Sequence, residues 1–394
     1  MLASALGLAF GYSSIGIVSF GVFVKPLSVE FGWGRGDMSL ALTLMSIAII
    51  FLSPLAGTLL DRYGVRRVLI PSIVVFGMTI AGLSLMTGSL VHYYAMYLLM
   101  ALAGVCTTPA SYSRVVVAWF DAHRGLALGI ALAGIGVGTA VIPPFVQLLT
   151  ANLGWRFAFL GIAALVILVS LPAVAAWISE PAKLLPSGAV REEAGFSFRE
   201  SIASRQFLFI AISFLLLGIM SGGILAHLVP LLTDRGVEPA VAASVASLLG
   251  VTLIGARLLT GYLLDRYYAP VVVAIFLSGP VIGVLILMSG AAGIPAILAV
   301  VLVGLGIGAE MDFMSYLISR YFGLRAFSRV YGLIYSSITV GIAIGPLVMG
   351  YSQQLSGNYD FGLKVLLFAS AVAIMPLLLL GSYPPLPRVR VVQE

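Results

Sequence analysis

Apolar positions along this chain come in long blocks, without the alternation or three-to-four spacing that leaves one face polar. Runs of about 20 residues, the length that crosses a bilayer as a helix, follow one another with short polar breaks. We read twelve, centred near residues 15, 48, 78, 105, 138, 167, 218, 250, 280, 307, 340 and 372. The pattern predicts an all-α membrane protein of twelve spans. The longest polar stretch, SEPAKLLPSGAVREEAGFSFRESIASRQ at 179–206, parts spans six and seven and reads as a linker with one short amphipathic helix at 197–204. The expected organisation is a six-helix bundle at 1–178, the linker at 179–206, and a second six-helix bundle at 207–394.

Composition agrees. Hydrophobic residues make up 61% of the chain and charged residues 9%, against about 25% charged in soluble domains. The 44 glycines and 19 prolines fit helices in lipid, which tolerate both. The net charge of +6 sorts by side: breaks after even-numbered spans carry Arg62, Arg66, Arg67, Arg124 and Arg266 among others, while the opposite side carries Lys25, Arg35, Arg156, Arg235 and Lys364. The positive-inside rule then puts both termini in the cytoplasm, in a multi-pass arrangement in a bacterial-type inner membrane. The basic charge reports topology, so no nucleic-acid partner is implied. The one cysteine, Cys106, lies in an apolar run and allows no intramolecular disulfide. The first span has no basic leader and reads as a retained helix, not a signal peptide.

The two halves resemble each other. GTLLDRYGVRR (57–67) recurs as GYLLDRYYAP (261–270), an offset of 204. GLALGIALAGIGVGTAVIPP (125–144) recurs as GLIYSSITVGIAIGPLVMG (332–350), with Gly125, Gly134 and Gly138 facing Gly332, Gly341 and Gly345. Six spans repeated twice describe a transporter whose related bundles hold substrate between them, and glycines four apart let helices approach closely.

The first of these motifs resembles the signature between the second and third helices of the major facilitator superfamily. That resemblance implies the major facilitator fold. It implies that Asp61 caps a helix of the opposite half while Arg62 and Arg66 hold the cytoplasmic side closed, with Asp265 and Arg266 as the second copy and Asp121 a partner for Arg62 or Arg66. The alternative is that these charges only solvate a short turn. FGVFVKPLSVEFGW (20–33), ARLLTG (256–261) and FGLRAFSRVYGL (322–333) are similar to stretches of the monocarboxylate porters and oxalate/formate antiporters. They imply a secondary transporter of small organic carboxylates, coupled to protons or exchanging anions, that functions as a monomer.

The ionisable residues within the spans bear on the same question. They are Arg114, His227, Arg257, Glu310 and Asp312, with Lys25 near an outer end. Each costs roughly 3 kcal/mol on insertion scales, so it faces a cavity or a partner. Arg257 sits about 12 Å from the inner end of its helix at 1.5 Å per residue, too deep for comfortable snorkelling. It is either ion-paired to Glu310 or Asp312, or a bidentate dock for a substrate carboxylate. Lys25, about 30 Å along helix one, is an interfacial lysine or an anion contact at the outer mouth, the latter implied by the resemblance. The porters carry an acidic residue one turn before the arginine of helix eight; here Leu253 stands there. Proton carriers would then be Glu310, Asp312 or His227.

Glu310 and Asp312 point about 200° apart on a helix. Asp312, Tyr316 and Arg320 form an i, i+4, i+8 stripe that reads as a structural ion pair, leaving Glu310 to titrate or to meet Arg257. Arg114 reads as snorkelling or gate-pairing, and Tyr112 and Tyr335 as hydroxyl donors to a carboxylate or as packing. Efflux of hydrophobic compounds on the same fold, and a non-transporting receptor, stay open as alternatives. No nucleophile–base set, metal-ligand spacing or phosphate loop is present in the sequence, so neither an enzyme nor a cofactor is expected.

Overall fold

The structure is a computed structural model and describes residues 1–16, 19–180, 190–191, 194–290, 293–387 and 391–392. The first half contains α1 (Leu2–Ala9), α2 (Tyr12–Ile15), α3 (Phe20–Phe31), α4 (Arg35–Tyr63), α5 (Val65–Leu83), α6 (Leu90–Gly104), α7 (Pro109–Trp119), α8 (Arg124–Leu153), α9 (Trp155–Leu165) and α10 (Leu171–Trp177). A short helix, α11 (Phe198–Ile202), follows in the linker. The second half contains α12 (Arg205–Asp234), α13 (Pro239–Leu264), α14 (Ala269–Met288), α15 (Ile294–Tyr321), α16 (Phe327–Ser356) and α17 (Asp360–Leu378). Among the described residues, ten helical stretches are long and apolar enough to cross a membrane. Two shorter apolar stretches, Leu2–Ile15 and Leu248–Leu264, lie where the sequence predicts spans one and eight.

Two of the predicted spans of the first half are interrupted at the same level. Between α1 and α2 the backbone turns extended at Gly11, and between α6 and α7 it passes through a 3₁₀ turn, Val105–Thr107, to an extended Thr108. A broken helix frees backbone groups that lipid cannot satisfy. Here side chains take them up: Thr107 Oγ1 accepts from the Tyr12 N–H at 3.0 Å, and the Ser14 hydroxyl donates to the Leu8 carbonyl at 2.8 Å. In the second half α12 and α15 run unbroken.

The halves meet through two close crossings near the linker. A methyl added at Gly57 would lie 2.2 Å from the Ser328 carbonyl oxygen, and one at Gly332 would lie 2.4 Å from that of Ser53. The second crossing repeats this, with Gly261 at 2.5 Å from the Gly125 carbonyl oxygen and Gly129 at 2.6 Å from that of Arg257. These glycines are required for α4 to touch α16 and α13 to touch α8. The linker docks on the same side: the Phe196 N–H donates to the Phe322 carbonyl and that of Leu324 to the Ala194 carbonyl, both at 2.9 Å. The predicted linker helix at 197–204 is present as α11, its N-terminus closed by a reciprocal Ser197–Glu200 capping box. Two-residue strands, β1 (Val190–Arg191) and β2 (Val391–Val392), pair antiparallel.

Candidate functional site

Both aspartates of the repeated motif end one helix and cap another from the other half. Asp61, at the foot of α4, accepts from the backbone N–H groups of Ser328 (3.1 Å) and Arg329 (3.0 Å), which open α16. Asp265, just beyond α13, accepts from those of Gly125 (2.6 Å) and Leu126 (2.9 Å), which open α8. A carboxylate at a helix N-terminus satisfies orphan donors and meets the positive end of the dipole.

The arginine that completes the first cluster is Arg114 of α7, which bonds Asp61 through Nη1 and Glu180 through Nε at 3.0 Å. Glu180 also accepts from the Val65 N–H at 2.9 Å, capping α5. Of the two roles the sequence left to Arg114, the structure gives the ion pair. The proposed partnership of Asp121 with Arg62 or Arg66 is not formed. Asp121 pairs with Arg124 three residues on, at 2.8 Å. Arg66 donates to the Ala175 carbonyl at 2.7 Å, and Arg62 lies over the Tyr63 ring. Arg266 stacks on Tyr262, 3.6 Å from the ring centroid.

Deeper in the molecule, Arg257 of α13 donates through Nη1 to Asp312 Oδ2 of α15 at 3.2 Å. Arg257 is 7% exposed, Asp312 0% and Glu310 3%, so a cation and two carboxylates share one buried layer. This corrects two expectations. Asp312 bonds Arg257 instead of Arg320, because Arg320 is eight residues on, about 12 Å along the helix, and lies over the Tyr383 ring. Glu310 interacts with Arg257 through space and has Ser221 beside it, but its Oε1 has no hydrogen-bond partner. The rotation of α15 against α13 turns position 312, not 310, towards the guanidinium. Tyr331 of α16 also lies within electrostatic reach of Arg257 and Asp312, and its ring stacks on Tyr335, centroids 6.2 Å apart.

A cavity of about 560 Å³ ends at Arg257. It is walled by α8 (Ile135, Thr139, Ala140), α12 (Leu225) and α13 (Leu249, Leu253, Ile254). Along α8 and α13 these residues lie beyond the Gly129–Arg257 crossing, on the side away from the linker. The Gly129–Arg257 crossing thus lies on the linker side of Arg257, and the cavity on its other side.

The other predicted residues lie elsewhere. Tyr112 is fully buried, its ring against Gly7 of α1. Tyr335 is half-buried between Tyr331 and Ser13. His227 is two turns inside α12, not one, because the helix runs on to Asp234. Its Nε2 donates to the Pro346 carbonyl at 3.2 Å, and its ring packs near Tyr359. The Lys25 side chain lies outside the described residues. Sequence reasoning missed Glu180; its only signal was an acidic residue directly after span six.

Fold and site together define a polytopic helical membrane protein of two related halves, shut on the linker side around a buried arginine. The family model of the Major Facilitator Superfamily matches residues 5–346, and the chain belongs to that family. Human monocarboxylate transporter 11 is 27% identical over 407 residues, covering 98% of this chain and 83% of its own. A Thermoproteus tenax protein described as an uncharacterized 38 kDa protein in the 23S RNA operon is 29% identical over 383 residues, with 96% and 95% covered. Among solved structures, the E. coli fucose:proton symporter superposes with a TM-score of 0.73 at 14% identity over 97% of this chain and 98% of its own. The human organic anion transporter MFSD10 gives 0.73 at 15% identity, with 95% and 98% covered.

Proposed function

We propose that the protein is a secondary active transporter of small organic monocarboxylates, working by alternating access and coupled to protons. In this reading the twelve spans are the ten long helices and the two shorter apolar stretches. They are grouped as bundles 1–178 and 207–394 about the cytoplasmic linker 179–206, with both termini cytoplasmic. The observation that carries it is Arg257 at the closed end of a cavity between the halves. A guanidinium has five donors, and the bond to Asp312 uses one. A carboxylate entering the cavity would meet a buried cation with donors to spare, and the relatives named as monocarboxylate transporters agree with that cargo.

Charge balance supports proton coupling. Arg257, Asp312 and Glu310 leave one negative charge uncompensated in a buried layer, which costs several kcal/mol. Arg114 cannot offset it, being held by Asp61 and Glu180. One proton shared by the two carboxylates restores neutrality. A substrate anion on Arg257 adds a further negative charge, and a further proton offsets it. Asp312 competes with substrate for the arginine and is the proton carrier in this reading. Glu310 holds the resident proton, and His227, tied to the Pro346 carbonyl, is structural. Asp61 and Asp265 act as latches that break when the linker side opens, with Arg62, Arg66, Asp121 and Arg266 at their edges. Tyr335 lines the path, and Lys25 stands near its outer mouth.

The test is uptake of labelled lactate, formate and oxalate into proteoliposomes, with and without an inward proton gradient. Proton-stimulated uptake of at least one anion, abolished in Arg257→Ala and made insensitive to the gradient in Asp312→Asn, is expected. Uptake that requires internal anion instead makes the protein an exchanger. Transport by Arg257→Ala at the parental rate overturns the assignment of the arginine.

A further inference from the structure

The cavity that ends at Arg257 is unlike a site for a hydroxy acid or a diacid. We propose that its ligand is a monocarboxylate with an unsubstituted aliphatic body, a short- to medium-chain fatty acid anion; this rests on the carboxylate reading above. Four observations converge on it.

The first is charge: among the described residues lining the cavity, Arg257 is the one ionisable group. One guanidinium fits one carboxylate, and no second cation stands among the described lining residues to meet another. The second is the wall. Ile135, Ala140, Leu225, Leu249, Leu253 and Ile254 present hydrocarbon above the arginine. The third is Thr139, the one hydroxyl among the described lining residues. Its proton is already donated to the Ile135 carbonyl, 2.8 Å away and one turn back, so among the described lining residues no side chain along the wall above Arg257 offers a free donor. The backbone of α8 and α13 offers none either, because its donors close the helices' own turns. The fourth is size: about 560 Å³ sits inside the range of pockets that enclose organic ligands, about 300–1,000 Å³, and leaves much of the space above the arginine to be filled by more than a two-carbon anion.

Physical consequence follows from burial. Each methylene of the ligand moved from water onto this wall gains affinity, whereas a hydroxyl placed against the hydrocarbon gives up water partners that the wall replaces poorly. A hydrophobic pocket rejects an added hydroxyl by about 10- to 100-fold. The wall therefore ranks hexanoate above butyrate, butyrate above lactate, and all of them above oxalate.

Protonated fatty acids cross bilayers unaided, so binding is the cleaner readout. The full chain in detergent is titrated calorimetrically with the sodium salts of hexanoate, butyrate, lactate and oxalate. The parent is expected to bind hexanoate at least about tenfold more tightly than lactate, with no heat from oxalate. Thr139→Val is expected to bind hexanoate as the parent does, since it removes no free donor, and Arg257→Ala is expected to bind none of the four. Ile254→Asn, which adds an amide to the wall, should narrow the gap between hexanoate and lactate. Tighter binding of lactate or oxalate than of hexanoate overturns the aliphatic ligand and leaves the carboxylate reading intact. Absence of binding for all four, with the parent folded by circular dichroism, overturns both.

Discussion

Gly332 of α16 rides over the Ser53 carbonyl of α4, and Gly129 of α8 rides over the Arg257 carbonyl of α13. Ser53 and Arg257 are 204 residues apart, as are Asp61 and Asp265, so the two crossings are one piece of architecture used twice. What fills the repeat differs. Where the second half carries Arg257, the first carries a serine that bonds its own helix at the Ile49 carbonyl. Where α15 carries Glu310 and Asp312, the first half breaks its helix at Val105–Thr107, about one repeat earlier. The same contrast holds at the linker side. Glu180 caps Val65 and grips Arg114; one repeat on, the Tyr383 hydroxyl accepts from the Ala269 N–H at 3.2 Å while its ring lies under Arg320. Duplicated backbone closure tolerates divergent chemistry, because the crossing needs only small residues and a capping carboxylate. The buried charges at the cavity are concentrated in the second half, and the Asp61–Arg114–Glu180 cluster lies at the linker side of the first.

The widest gap between the halves should appear in transport. Arg257→Ala is expected to lower carboxylate uptake by at least about 100-fold, which corresponds to roughly 2.7 kcal/mol. Ser53→Ala, its counterpart, is expected to stay within about twofold, since its hydroxyl touches only its own helix. Arg257→Lys should recover little, because an ammonium cannot match a carboxylate bidentately. Equal losses at 53 and 257 would mean that the crossing, not the charge, limits transport.

A smaller asymmetry is expected in stability. Asp61→Asn removes one of the two carboxylates that face Arg114, 1% exposed, and removing one partner of a buried pair costs about 3–5 kcal/mol. Asp265→Asn removes only a capping charge, worth about 1 kcal/mol. Thermal unfolding in detergent, followed by tryptophan fluorescence, should therefore show the larger drop for Asp61→Asn. If Glu180→Gln is introduced as well and the two losses add without coupling, the Asp61–Arg114–Glu180 cluster does not act as a unit.

Much of this was legible along the chain, and the limits are physical. The spans follow from block hydrophobicity, the repeat from glycine and Asp-Arg spacing, and the two caps from the motif. Sequence spacing also brought Arg257, Glu310 and Asp312 forward as buried charges. It left open which carboxylate meets Arg257, because that depends on the rotation of α15 about its own axis, and α15 is apolar on most faces. Arg114 of α7 and Glu180, which follows α10, lie 66 residues apart and meet only in the folded half, so neither showed its partner. The helix breaks carried a readable sign: Gly11 in span one, and Gly104 and Pro109 flanking the turn in span four. They were absorbed into apolar runs because hydropathy is blind to backbone continuity.

The smallest expected difference tests whether the aromatic cluster of the second half replaces the ionic one of the first. Tyr383→Phe deletes the hydroxyl that caps Ala269 and keeps the ring beneath Arg320, so it should cost about 1 kcal/mol, the net worth of one hydrogen bond. Glu180→Gln keeps an acceptor for Val65 but loses the charge facing Arg114, and should cost more, about 2 kcal/mol. Raising the salt concentration should shrink the Glu180→Gln effect only slightly, because that pair is largely buried, and leave Tyr383→Phe unchanged. If Tyr383→Phe proves the more damaging of the two, the closure of the second half depends on that hydroxyl more than the first depends on its charge. The division into an ionic half and an aromatic half would then have to be redrawn around Tyr268 and Tyr321, whose hydroxyls share the Gly381 carbonyl beside it.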